Sequence, residues 1–143
     1  MIKIVYPSAG FKMKEENNKE FIFDVIRKKW ILLTPEEWVR QYIIQYLIVE
    51  KEYPASLIAV EKEIKLGELK KRCDIIVYKN SLPWMIVECK EMNVPVNEKT
   101  FAQILNYNQT LQVDYLITTN GTITYGLKTS NKILLEEIPS YNS

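Results

Sequence analysis

The chain has 143 residues, 47% of them apolar and 26% charged, which fits one globular domain with its own core. Lys and Arg number 19 against 18 Asp and Glu, a net charge of +1, so no global field draws nucleic acid or an anionic membrane; contact with DNA then needs a local patch or a helper. Histidine is absent, which removes Ser-His-Asp and Cys-His mechanisms and leaves carboxylates, Lys, Tyr and metal for any chemistry.

No apolar run approaches the ~20 residues that span a bilayer. The apolar start at Met1–Val5 is too short for a secretory signal, so the expected location is cytoplasmic, with no membrane partner. Residues 1–33 read as an N-terminal extension of a single domain spanning 1–143. Its charged run, Lys12 to Glu20, reads as an exposed loop after a short N-terminal strand. Phe21–Phe23 and Trp30–Leu33 are short strand candidates, with Arg27-Lys28-Lys29 a solvated turn between them.

Thr34-Pro35-Glu36-Glu37 signals a helix start: Thr as N-cap, Pro at the first position and Glu37 completing a capping box. The helix should run to about Lys51, before Tyr53-Pro54. Trp38, Val39, Tyr42, Ile43, Tyr46 and Leu47 form one wide apolar stripe, and Ile44 and Ile48 fall on another face. That pattern calls for cover on more than one side, by a sheet and by a second subunit, and so allows a homodimer. Ser56–Ile64 reads as a strand, and Gly67 turns the chain into the next.

Arg72-Cys73-Asp74-Ile75-Ile76-Val77-Tyr78 and Trp84-Met85-Ile86-Val87-Glu88-Cys89-Lys90 read as two antiparallel strands joined at Lys79–Pro83. Alternation sends Glu88 and Lys90 to one side, and Asp74 on the partner strand can approach them. Ionisable groups on otherwise apolar strands are costly unless paired or ligated. Cys73 and Cys89 are expected to be buried, inert thiols. Lys70-Lys71-Arg72 reads either as a solvated strand end or as a phosphate contact beside the acids.

Asn97 is a plausible N-cap for a second helix from Glu98 to about Leu111. Phe101, Ile104, Leu105 and Leu111 face the core in it, and Gln103 and Tyr107 share a face. Asn120-Gly121 between Asp114–Thr119 and Thr122–Tyr125 is a strong hairpin signal, and Ile133–Leu135 adds an edge strand. The expected architecture is an α/β layered domain with a mixed central sheet, in the order α-β-β-β-α-β-β.

Two hard carboxylates side by side, Asp74 and Glu88, suit Mg²⁺ or Mn²⁺. Lys90 beside them can hold an attacking water or offset charge on a phosphorane-like transition state. The residues alone therefore point to metal-assisted phosphodiester hydrolysis.

At Asp74 and Glu88-Cys89-Lys90 the chain resembles the PD-(D/E)XK nuclease superfamily, with Cys73 where the family name has Pro. Leu33–Gln41, Lys70–Asp74, Ile86–Lys90, Phe101–Asn108 and Tyr115–Gly121, in that order, look like the nuclease domain at the N-terminus of type I restriction enzyme R subunits. The resemblance covers roughly Arg27 to Tyr125, and the motor domains of an R subunit are missing. It implies a restriction-endonuclease-like fold and a Mg²⁺- or Mn²⁺-dependent DNA endonuclease, with DNA and restriction-modification subunits as partners. It makes Asp74 and Glu88 metal ligands, with the Cys89 carbonyl a further candidate, and Lys90 the catalytic lysine. Glu37 becomes the acidic residue of the first helix, reaching the metal through water. Gln103 and Tyr107 match a Q-x-x-x-Y element that orients the DNA strand.

Simpler roles stand beside these. Glu37 is accounted for by the capping box, Glu88 with Lys90 by a surface ion pair, and Gln103 with Tyr107 by a helix surface. A nucleic-acid-binding or regulatory domain of the same fold, with weak or no activity, is the main alternative, and a structural dimerisation module is a third.

Overall fold

The computed structural model describes residues 1–8, 10–66, 68–99, 101–102 and 112–142. Asn17 and Asn18 both take left-handed φ values, 55° and 63°, the geometry of a two-residue hairpin turn that asparagine tolerates well. They join β1 (Met13–Glu16) to β2 (Lys19–Asp24), and β3 (Lys29–Leu32) completes a three-stranded antiparallel sheet. The charged run expected to be a loop is therefore half of a hairpin. All four β1 residues are exposed, so no apolar alternation marked the strand.

Helix α1 (Pro35–Gln45) begins as its sequence signals, with Thr34 Oγ1 accepting the Glu37 N–H at 3.0 Å. The Glu37 carboxylate does not close the capping box; it bonds two arginines. The helix passes into a π-helical turn at Tyr46–Glu50, one residue short of the expected end. Val39, Ile43, Ile44 and Leu47 are buried against the main sheet. The outer apolar side is covered by the chain's own N-terminal segment. Tyr6 packs edge-on against Tyr42 and Tyr46, and Phe11 against Trp38 and Tyr42. The cover anticipated from a second subunit thus comes from within the chain.

The main sheet has six strands in the order of the chain: β4 (Ile58–Leu66), β5 (Leu69–Lys79), β6 (Leu82–Cys89), β7 (Tyr115–Thr119), β8 (Thr124–Lys128) and β9 (Ile133–Leu134). Neighbours are antiparallel except β6 and β7, which are parallel and so need a long crossover. Within that crossover Asn97 Oδ1 accepts the Lys99 N–H at 3.0 Å, the cap expected there. Residues 103–111 lie outside the described residues, and with them Gln103, Tyr107 and most of the expected second helix.

Side chains alternate across the sheet. Ile75, Val77, Met85, Val87 and Ile117 face α1, and Ile76, Ile86, Val113 and Leu116 pack on the opposite face. Burial on both faces explains why Trp84–Val87 is apolar throughout. β5 and β6 turn at Asn80 and Ser81, both left-handed. The Asn120 loop spans four residues, its side-chain oxygen accepting the N–H groups of Thr122 and Ile123, so β8 starts later than the strand expected from Thr122. Ile2 bridges to Thr124, adding the N-terminus to β8. Among the described residues no helix is long and apolar enough to cross a membrane.

Candidate functional site

The central strands lose regular pairing at one end of the sheet. Paired positions Val60/Ile75 and Lys62/Cys73 bracket Glu61 and Asp74, and Glu61 takes φ 55° inside a strand. A left-handed non-glycine residue within β4 is strained backbone, which concentrates at functional sites. The β5–β6 ladder ends at Ile75/Val87. Beyond it, Asp74 Oδ2 accepts the Cys89 N–H at 2.9 Å, so a side chain satisfies the backbone where the strands part. The Lys90 N–H continues the pairing with β7 through Thr119 C=O at 2.8 Å.

Above this end, α1 presents Glu36, Glu37 and Arg40. Arg40 Nη2 lies 2.7 Å from Asp74 Oδ1, 2.5 Å from Glu61 Oε1 and 3.2 Å from Glu36 Oε1. Its Nη1 lies 2.9 Å from Glu37 Oε1. Glu36, Glu61 and Asp74 each offer an oxygen within 4.8 Å of the others. Burial opposes the Arg40 charge, but Asp74 and Glu37 hold the guanidinium firmly protonated. Burial also pushes Asp74 up, yet the Arg40 hydrogen bond and the Cys89 N–H hold it below the usual carboxylate range. Glu36 is raised, by burial and then by Asp74, while Arg40 and Lys90 pull it down. The Lys90 ammonium, exposed just past β6, is thus within electrostatic reach of the cluster.

Glu37 sits elsewhere in this arrangement. Its Oε1 also accepts from Arg27 at 2.6 Å, and Arg27 bonds the fully buried Asp24 at 2.7 Å. Gln41 Nε2 adds a bond to Asp24 at 2.9 Å. Glu37 therefore ties the N-terminal sheet to α1, and Glu36 is the helix acid that meets Asp74.

Glu88 adjoins Asp74, as expected. Burial and the Asp74 charge push its carboxyl up to about 7, against a lowering by Lys71, whose Nζ is 3.4 Å from Oε1. The Glu88 carboxyl thus lies between the Asp74 carboxylate, which raises it, and the Lys71 ammonium, which lowers it. A raised carboxyl contributes stability that is fully present below its ordinary value of 4.5 and lost as pH rises through about 7. The metal-free protein should lose about 1–3 kcal/mol across that window through Glu88. Glu88→Gln should flatten the loss and exceed wild type in stability above it, as denaturant melts in EDTA would show. Identical pH slopes for both proteins would mean Glu88 is ionised throughout.

The three basic candidates have acidic partners: Lys70 with Glu63 at 3.8 Å, Lys71 with Glu88, and Arg72 with Glu61 at 2.7 Å. Lys70 and Arg72 are exposed, while Lys71 is largely covered. Both thiols are buried and raised by burial, Cys73 to about 11, which leaves them protonated and inert. Sequence reasoning passed over Glu36, Glu61 and Arg40. Helical spacing puts Arg40 one turn from Glu36 and Glu37, a signal that was available. Glu61 had no such signal, because its place depends on the break in β4.

A family model for the N terminus of type I restriction enzyme R proteins (HSDR_N) matches residues 35–140. Comparison with curated proteins finds no match. Among solved structures, a fragment described as an HsdR subunit of a type I restriction enzyme from Vibrio vulnificus YJ016 is similar in fold, with a TM-score of 0.56 and 22% identity. The likeness covers 76% of this chain and 24% of that one, so this chain spans about a quarter of its length. With the family match running through helix α1 and the whole main sheet, the chain belongs to the family of type I restriction enzyme R protein N-terminal domains.

Proposed function

We propose that this chain is a divalent-metal-dependent DNA endonuclease domain of the PD-(D/E)XK type, with a restriction-endonuclease-like fold, acting within or derived from a type I restriction system. The observation that carries this reading is the convergence of Asp74, Glu88, Glu36 and Glu61 where the central strands part, with Lys90 on the rim. The donors are all carboxylate oxygens, the set that Mg²⁺ or Mn²⁺ takes, so the residues present fit such an ion. Asp74, Glu36 and Glu61 would hold it, with Glu88 at their side. A bound divalent ion lowers the pKa of a coordinated water and screens the phosphodiester charge. Lys90, unlike the arginine inside the cluster, is exposed where a DNA backbone arrives, and its ammonium offsets negative charge developing on the phosphate. In the metal-free protein burial and Asp74 push the Glu88 carboxyl up to about 7, and a divalent cation beside it would lower it again. Lys70 and Arg72 supply exposed charge for phosphate contact, since surface ion pairs of the kind they form exchange readily.

DNA is the proposed substrate and other restriction-modification subunits the proposed partners. A supercoiled plasmid incubated with the protein should be nicked or linearised with Mg²⁺ or Mn²⁺ and remain intact in EDTA. The second reading, a DNA-binding domain without cleavage, is favoured by one feature: Arg40 already neutralises the carboxylates that would take the ion. Plasmid retarded in a gel but never cut, at any metal concentration, would select that reading.

A further inference from the structure

The three carboxylates best placed to hold a cation already share one. Arg40 Nη2 lies within hydrogen-bonding distance of Asp74, Glu61 and Glu36, the same three residues whose oxygens cluster within 4.8 Å. A guanidinium nitrogen and a divalent ion cannot use those oxygens together, because both are positive and both need the same lone pairs. We infer that Arg40 is an exchangeable counter-ion: it keeps the carboxylates assembled in the metal-free protein, and the divalent ion must displace it to bind. This rests on the nuclease reading for the nature of the ion.

Three further observations distinguish an exchangeable arginine from a permanent structural one. Arg40 is only 5% exposed, yet its Nε N–H has no acceptor among the described residues. A buried group held for stability alone is ordinarily saturated with hydrogen bonds. Arg40 also has a retreat. Its Nη1 bonds Glu37, which lies outside the three-acid cluster and is anchored independently by Arg27. The guanidinium can leave the cluster and keep a charge partner. Solvent access is present too, since the Glu36 side chain is half exposed while Asp74 and Glu61 sit deeper.

The test is calorimetric titration of Mn²⁺ into wild type, Arg40→Gln and Arg72→Gln, paired with melting in EDTA and in Mn²⁺. Arg40→Gln should bind Mn²⁺ about tenfold more tightly than wild type, a coupling of ordinary size. It should also melt lower in EDTA and gain more from Mn²⁺, because the ion replaces the missing counter-charge. Arg72→Gln removes a positive charge from Glu61 without vacating the cluster, so it should change Mn²⁺ affinity far less. Equal tightening by both variants, or no tightening in Arg40→Gln, overturns the exchange. If Arg40→Gln does not fold, Arg40→Lys decides. Its ammonium cannot fork across three carboxylates, so it should bind Mn²⁺ more tightly than wild type, and affinity at or below wild type overturns the inference. Failure of every protein to bind Mn²⁺ overturns this inference and the nuclease reading together, whereas equal binding by wild type and Arg40→Gln overturns this one alone.

Discussion

Lys90→Ala is expected to slow plasmid cleavage by about 100- to 1000-fold, the loss typical of removing one group that stabilises transition-state charge. The fold should not notice the change. Lys90 is exposed, and the bond from its backbone N–H to the Thr119 carbonyl survives truncation to Ala. Exposed substitutions of this kind shift stability by about 0.5 kcal/mol or less. Metal uptake should persist as well, because the proposed oxygen donors are the carboxylates of Glu36, Glu61 and Asp74. The signature is therefore a rate that falls while melting temperature and Mn²⁺ affinity stay near wild type. Equal cleavage by both proteins would remove Lys90 from the mechanism, and loss of Mn²⁺ binding would make it part of the site's architecture instead.

Arg27→Ala should be among the most damaging single changes outside the apolar core, costing about 3 kcal/mol. Arg27 bonds Asp24, whose side chain is fully buried, and Glu37, whose side chain is 4% exposed. Burial pushes Asp24 up, and its bonds from the Arg27 N–H, the Arg27 guanidinium and Gln41 bring it below its ordinary value. Removing the guanidinium leaves Asp24 without its cation and Glu37 with Arg40 as its remaining cationic partner among the described residues, beside the Gln41 amide. The stabilisation Asp24 provides is present above its ordinary value of 3.8 and lost as pH falls through its lower folded value. The penalty of the substitution should therefore show fully at neutral pH and shrink in acid. Urea melts at neutral and acid pH check this, and a neutral-pH loss below about 0.5 kcal/mol would show the network to be dispensable. Because Glu37 also bonds Arg40, a weakened Arg27 contact should loosen the site from behind.

The same two arginines show where sequence reasoning works and where it stops. Apolar alternation and turn residues sufficed for β4 through β8 and for α1, because those elements bury one or both faces in register. β1 escaped, since all four of its residues face solvent and only the Asn17-Asn18 turn marks the hairpin. Asp74 and Glu88 were recognisable because carboxylates stand out on apolar strands. Choosing between Glu36 and Glu37 was beyond local pattern. Both occupy the first turn of α1, and which one meets Asp74 depends on Arg27 arriving from a different sheet to claim Glu37. Glu61 depended on a left-handed residue that interrupts β4, a feature of tertiary strain. The near-zero net charge likewise hid the site's electrostatics, which consist of closely matched acids and bases at one end of the sheet.

The nuclease reading requires that these acids form a metal centre. The most direct measurement is an anomalous-scattering map from a crystal grown with manganese at a pH above the Glu88 titration. A single strong peak should appear, bounded by the carboxylates of Glu36, Glu61 and Asp74, with Arg40 drawn back toward Glu37. A map with no peak there, and with Arg40 still bonded to Asp74 and Glu61, would contradict that reading.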